Sequence, residues 1–524
     1  MRDSVASATP AALLVVSFFF GGAVLAGTCE EMTRFTLPGY DVVINEARTV
    51  PEGPLPPGPF GAGYQGLIPE HCRVDGEIDK RVGRDGKPYS IGFAVAMPTN
   101  WNGRFLFQGG GGLNGTVQNP VGLQSAGAPA LARGFAVVST DSGHRARQGM
   151  AFDGSFFADQ EATLNFLYKA IGKVTVVAKA MVREYYSKPI GHAYYVGCST
   201  GGREGMIMSQ RFPNDYDGIV AGAPAMRTNV SNLATRWVHV SLNQAAPLDE
   251  DGKPVAGGGL PESDQKLLVD AFLRACDEKD GVKDGMVFDI EGCDFDPASL
   301  TCEGEKTDQC LSEKQVKALH RAMAGPVDSR GHQVYSGFPY DTGIIAKPPA
   351  SFIPGLLVTS SSVLGPPTRE TTMDIDKASI AADTAQADVG NTFKWTNLST
   401  FSGHGGKLIF YHGMSDPWFS ALDTMTYHEN LVRDNGGADR VVDWSRLFLV
   451  PGMGHCGGGA QTLDRFDMLD AIVKWVEDGQ APDSVVATGR AYPDRSRPLC
   501  AYPKHAQYTG QGNSQDAENF ECRE

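Results

Sequence analysis

His192-Ala193-Tyr194-Tyr195-Val196-Gly197-Cys198-Ser199-Thr200-Gly201-Gly202-Arg203 is the stretch that decides the fold. Residues 192–196 read as a short buried strand, and residues 203–211 as the helix that follows it. Between them Gly197, Ser199 and Gly201 have the Gly-x-Ser-x-Gly spacing of a nucleophile elbow. In such a turn small residues let strand and helix approach, and the serine hydroxyl is pushed out at the carboxyl edge of a sheet. The spacing alone also suits a tight turn with a solvated serine. The strand before and the helix after select the elbow.

Working outward, strand-like runs lie at residues 91–97, 104–107, 135–139 and 217–221, with a helical pattern over 160–186. Residues 30–70 are rich in Pro and Gly and show little periodicity. The alternation of short strands and helices stops near residue 225 and resumes after 403, with strands at 407–411 and 446–450 and helices at 421–434 and 464–478. This predicts an α/β fold with a mostly parallel sheet: a core of residues 27–224 and 404–524, interrupted by an inserted lid domain, 225–403.

A serine hydroxyl needs a base to take its proton. His455 follows the strand at 446–450 in Pro451-Gly452-Met453-Gly454-His455-Cys456, and Asp416 ends the turn Gly413-Met414-Ser415-Asp416 after the strand before it. The order Ser199, Asp416, His455 is that of the α/β-hydrolases. His412 is expected to be a structural hydrogen-bonding residue, and Asp423 is the weaker alternative acid. For the oxyanion, Thr200 offers the N–H after the nucleophile, and the run Gly109-Gly110-Gly111-Gly112 offers a second, with Gly110 preferred. Trp418 and Phe419, beside Asp416, are candidates to line an aromatic acyl pocket or to be plain core.

The ten cysteines fall at 29, 72, 198, 276, 293, 302, 310, 456, 500 and 522. An even number without Cys-x-x-Cys spacing predicts disulfides rather than thiolate metal sites. Spacing suggests the pairs Cys276–Cys293, Cys302–Cys310 and Cys500–Cys522, and leaves Cys29, Cys72, Cys198 and Cys456. A Cys198–Cys456 bridge would tie the elbow to the histidine turn; separate fates for the two thiols are the alternative. Arg2, the apolar run of residues 11–25 and the small-residue exit at Ala26 read as a signal peptide, 1–26, which places the chain outside the cytoplasm, secreted or periplasmic. No other segment has the length of a membrane span.

With 46 basic and 61 acidic residues the formal charge is −15, the opposite of what a phosphate-tracking nucleic-acid protein carries. One acidic loop stands out, Asp277-Glu278-Lys279-Asp280-Gly281-Val282-Lys283-Asp284-Gly285-Met286. Its hard oxygen donors suit Ca²⁺, although the spacing is not that of an EF-hand, and a solvated acidic turn is the alternative.

Taken together, Gly197-Cys198-Ser199-Thr200-Gly201-Gly202-Arg203-Glu204-Gly205, Gln210-Arg211-Phe212-Pro213, Tyr411-His412-Gly413-Met414-Ser415-Asp416 and Pro451-Gly452-Met453-Gly454-His455-Cys456 resemble the tannase/feruloyl esterase family. The resemblance runs over most of the mature chain. It implies an α/β-hydrolase fold with a lid, a Ser199–His455–Asp416 triad, oxyanion donors at Gly110 and Thr200, and a Cys198–Cys456 bridge. It also implies a structural Ca²⁺ in the lid, held by Asp277, Asp280 and Asp284 side chains and by Val282 and Met286 carbonyls. The function it implies is hydrolysis of small aromatic acid esters of feruloyl or galloyl type, without a catalytic cofactor. Terephthalate monoesters are the alternative substrate class, and a secreted binding protein that kept the fold is the rival of another kind. Family members that cleave terephthalate monoesters carry Glu where this chain has Thr200. They also hold the free carboxylate with an Arg and a Phe-Ser pair that has no counterpart in the shorter stretch between Gly325 and Lys407.

Overall fold

The computed structural model describes residues 28–55, 64–148, 150–358 and 367–524; the expected signal peptide lies outside them. Nine strands form the central sheet: β1 (Val42–Val50), β2 (His71–Val82), β3 (Pro88–Pro98), β4 (Arg104–Gln108), β5 (Ala136–Thr140), β6 (His192–Cys198), β7 (Gly218–Gly222), β8 (Lys407–Gly413) and β9 (Ser445–Val450). Their spatial order is β1-β2-β3-β5-β4-β6-β7-β8-β9. The first three pairings in that order are antiparallel, and all those from β5 onward are parallel. Every parallel strand therefore points its carboxyl end to the same edge, where an open α/β sheet places its ligand site.

The parallel strands are buried on both faces, which is why they read as short apolar runs. Phe105 and Phe107 of β4 enter one core cluster and Leu106 the other, as do Leu408 and Phe410 against Ile409 in β8. The antiparallel edge escaped the sequence reading for the opposite reason. β1 is half exposed along its length, and β2 mixes Asp75, Glu77, Asp79, Lys80 and Arg81 with its buried Val74 and Ile78. Charges there hide the period of two.

Two helices flank the elbow: α1 (Ala170–Tyr186) and α2 (Thr200–Arg211). The pattern expected over 160–186 is interrupted by a π-helical turn, Asn165–Lys169. Arg203, buried on α2, donates to the carbonyls of Phe166 and Leu167 at that turn (3.0 and 2.7 Å).

Between β7 and β8 the chain leaves the sheet. This insertion is more regular than its irregular composition suggested. Helices α3 (Thr228–Asn243), α4 (Glu262–Cys276) and α5 (Glu313–Ala324) close around a third core that includes Leu242, Leu268, Leu300 and Leu319. After β9, α6 being the earlier helix Ala421–Asp434, come α7 (Met468–Asp478) and two small hairpins, Ser484–Thr488 with Ser496–Cys500 and His505–Tyr508 with Phe520–Arg523.

All ten cysteines are paired: Cys29–Cys72, Cys198–Cys456, Cys276–Cys293, Cys302–Cys310 and Cys500–Cys522. Among the described residues no helix is long and apolar enough to cross a membrane.

Candidate active site

β6 ends at Cys198 and α2 begins at Thr200, so Ser199 alone makes the turn. Its backbone stands at φ 65°, ψ −124°, a region that residues with a side chain rarely enter. The turn closes only because glycines flank it: a Cβ on Gly197 would lie 2.6 Å from the Gly201 backbone, and one on Gly201 2.6 Å from the Gly110 carbonyl.

The turns after β8 and β9 deliver the other two side chains to the same edge. Ser199 Oγ lies 2.8 Å from His455 Nε2, and His455 Nδ1 lies 2.6 Å from Asp416 Oδ2. A carboxylate only accepts, so Nδ1 carries the proton and donates it to Asp416, which leaves Nε2 as the acceptor for the serine hydroxyl. Ser199 and His455 are each 9% exposed and Asp416 2%. Burial by itself would raise the Asp416 carboxyl; the charge and hydrogen bonds of His455 and His412 outweigh it and hold the group well below the usual carboxylate range. The amides of Trp418 and Phe419 add two donors to its other oxygen (2.9 and 3.1 Å).

His412 is fully buried and takes the structural part expected of it. Its Nε2 donates to the Phe419 carbonyl at 2.9 Å and lies 3.3 Å from Asp416 Oδ2, while Nδ1 faces the Thr424 hydroxyl at 2.8 Å. Asp423, the alternative acid, is engaged elsewhere, by Arg227 and by the Ser336 hydroxyl. The Cys198–Cys456 bridge joins the residue before Ser199 to the residue after His455, with 6.0 Å between the two Cα atoms.

The glycine run corrects one expectation. The Gly110 N–H donates to Glu204 Oε2 at 3.0 Å, so it is not free for a substrate oxygen. The N–H groups of Thr200 and Gly111 make no hydrogen bond among the described residues, and a Cβ on Gly111 would meet nothing within 4 Å. Of the two glycines, only Gly111 thus has its N–H unengaged among the described residues. Glu204, 1% exposed, organises this region: it also accepts from Tyr195 (2.9 Å), Asn114 (2.8 Å) and Ser142 (2.9 Å). Burial first, and then the charge of Glu204, push the Tyr195 hydroxyl far up, so it stays a donor. Sequence reading missed Glu204's part although it sits inside the elbow motif, since nothing in the spacing says which loop a buried acid on α2 will meet.

The Trp418 ring lies 5.0 Å from the His455 ring and packs edge-on against Phe152 at 5.6 Å; it is half-buried. The Phe419 ring also lies by His455, tilted to it at 5.3 Å, but is buried as a supporting residue.

The acidic loop lies in the insertion by sequence yet packs on the C-terminal hairpins. Asp284 is paired with Arg497 and Arg495, and the Tyr508 N–H donates to the Asp280 carbonyl. Asp277 accepts from the amides of Asp284 and Gly285, and Asp280 from those of Val282 and Phe288. Burial, with the like charges of Asp284 and Asp277, pushes Asp280 up to about 7. Among the described residues no three His, Cys, Asp or Glu side chains form a metal cluster on their own.

With this geometry in hand, the relatives are informative. The family model for tannase and feruloyl esterase matches residues 72–353 and 369–523. A mono(2-hydroxyethyl) terephthalate hydrolase of Piscinibacter sakaiensis is 39% identical over 87% of this chain and 85% of its own. A probable feruloyl esterase of Arthroderma benhamiae is 28% identical over 94% and 93%. The crystal structure of feruloyl esterase B from Aspergillus oryzae superposes with a TM-score of 0.73 at 26% identity, covering 94% of this chain and 99% of that one. The chain belongs to the tannase and feruloyl esterase family of carboxylic ester hydrolases.

Proposed function

We propose that this chain is a secreted hydrolase of small aromatic acid esters, of feruloyl or galloyl type, working through an acyl-enzyme on Ser199. The observation that carries the reading is the unbroken relay from Ser199 through His455 to Asp416, at 2.8 and 2.6 Å, with the Trp418 ring against the base. Ser199 Oγ attacks the ester carbonyl while His455 Nε2 takes its proton, and the imidazolium so formed is stabilised by Asp416. The tetrahedral oxyanion is held by the N–H groups of Thr200 and Gly111. His455 then protonates the leaving alcohol, and a water activated by the same imidazole releases the acid and frees Ser199. Trp418 supplies an aromatic wall beside the reacting carbon. Closure of every cysteine into a disulfide supports an oxidising compartment, in keeping with the leader-like segment 1–26.

A second reading, terephthalate monoesters, is favoured by the 39% identity to a hydrolase of that substrate. Thr200 in place of the Glu of those enzymes speaks against it. Relative kcat/KM on methyl ferulate, methyl gallate and mono(2-hydroxyethyl) terephthalate separates the two. The first reading expects a ferulate or gallate ester to lead; a terephthalate monoester in front replaces it with the second.

We further propose that the acidic loop takes a hard divalent cation, a reading supported by the oxygen donors it offers. Asp277, Asp280 and Asp284 side chains with the Val282 and Met286 carbonyls would hold Ca²⁺, which when bound neutralises carboxylates crowded together at the joint between insertion and core.

A further inference from the structure

Asp341 belongs to the insertion, yet its carboxylate, besides the N–H of the adjacent Thr342, takes a donor from each of two catalytic turns. One oxygen, Oδ2, accepts the Ser415 hydroxyl at 2.6 Å and the Gly452 N–H at 2.7 Å. Ser415 precedes the acid Asp416; Gly452 opens the turn that carries His455. The contact is reinforced on both sides. The Gly343 N–H donates back to Ser415 Oγ at 2.9 Å, and the Gly459 N–H, beyond the base, donates to the Ala350 carbonyl at 2.7 Å. The approach is close enough that a Cβ on Gly343 would fall 2.5 Å from the Gly452 carbonyl.

Asp341 is 3% exposed, and among the described residues no Lys, Arg or His forms an ion pair with it. Burial pushes its carboxyl up to about 6. A buried carboxylate without a counter-ion costs stability, and a core position filled for packing alone would carry an apolar residue. The two donors it gathers from the catalytic turns say what it does instead.

We propose that Asp341 is a positioning residue: a single carboxylate oxygen, supplied by the insertion, clasps the acid turn to the base turn and so fixes Asp416 against His455. The insertion is then part of the catalytic frame. The inference rests on the triad reading above and adds to it a dependence on a residue that touches no substrate.

The test is D341A, with D341N as the conservative partner, since an amide oxygen accepts both hydrogen bonds without the charge. Displacing a catalytic group by ~1 Å costs on the order of 100-fold; D341A should lose ~10- to 100-fold in kcat with KM nearly unchanged, and D341N should recover most of it. A purely structural part would leave the low-field proton resonance of His455 Nδ1–H where it is; here it moves or broadens in D341A and returns in D341N. If D341A fails to fold, S415A removes one arm of the clasp and should lower kcat alone, by a smaller factor. A folded D341A or S415A with unaltered kcat and an unmoved resonance overturns the proposal. If the wild-type protein cleaves no ester, the triad reading fails, and the resonance alone then decides whether Asp341 holds the two turns.

Discussion

The carboxyl edge of the sheet and the insertion solve different problems with the same chain. At the sheet edge three short turns, after β6, β8 and β9, each present one side chain, and each is built locally: glycines where backbones meet, one strained serine, one bridge between neighbours. The insertion has its own apolar core of helices α3 to α5, and reaches the catalytic turns through side chains scattered along it, among them Thr235, Tyr335 and Asp341. Local turns can be read from spacing. A contact made across more than seventy residues, such as Asp341 to Ser415, cannot.

Substitutions at the sheet edge should therefore be severe for the chemistry while the fold survives. D416N offers His455 an amide that can donate to Nδ1, which selects the wrong tautomer; kcat should fall by ~10⁴-fold with the fold intact. A loss below tenfold would move the acid elsewhere. Next comes Glu204, which holds the glycine run through the Gly110 amide and Asn114. E204A should misplace Gly111 and cost ~10²- to 10³-fold, the worth of one oxyanion donor, with E204Q intermediate. Unchanged kcat in E204A would show that Glu204 serves stability only.

The bridge lies between the two regimes. Replacing Cys198 and Cys456 together by serine leaves each turn its own hydrogen bonds and removes only their common tether. The expected result is a kcat loss of ~10-fold and a lower thermal midpoint, since a closed loop this long restrains the unfolded chain by ~5 kcal/mol. Full activity in the double variant would make the bridge a stabiliser alone. The smallest effect is expected at the acidic loop: if it holds Ca²⁺ as proposed, chelation should lower the thermal midpoint by ~1 °C for each kcal/mol of binding lost and leave kcat at 25 °C unchanged. A midpoint indifferent to chelator and to added Ca²⁺ contradicts the cation site.

The acid limb of stability separates Asp416 from its neighbours. Its carboxyl is depressed in the folded protein, so the stabilisation it brings is complete above the ordinary carboxylate value of ~3.9 and is lost as pH falls toward the folded value. The difference in thermal midpoint between wild type and D416N should shrink steadily below pH 4. A difference that is constant or grows would reverse the sign assigned to Asp416.

How much of this the sequence disclosed follows the same division. Ser199, Asp416 and His455 announced themselves because each follows an apolar strand and a Gly-rich turn, in the order of one fold class. β1 and β2 did not, because a half-exposed edge and a run of charges erase alternation. Four successive glycines look alike in sequence; what distinguishes Gly110 from Gly111 is Glu204, 94 residues away, which takes the Gly110 N–H. Asp341 had no signature at all, being one aspartate followed by ordinary residues until folding sets it against two turns.

The central claim is that Ser199 carries the acyl group. Mixing the protein with a slowly deacylated aromatic ester, quenching in acid within the first turnover and mapping the adduct by mass tests it directly. The account predicts one acyl group, on the peptide containing Ser199, absent in S199A. Turnover with no adduct, or an adduct on another residue that persists in S199A, would contradict it.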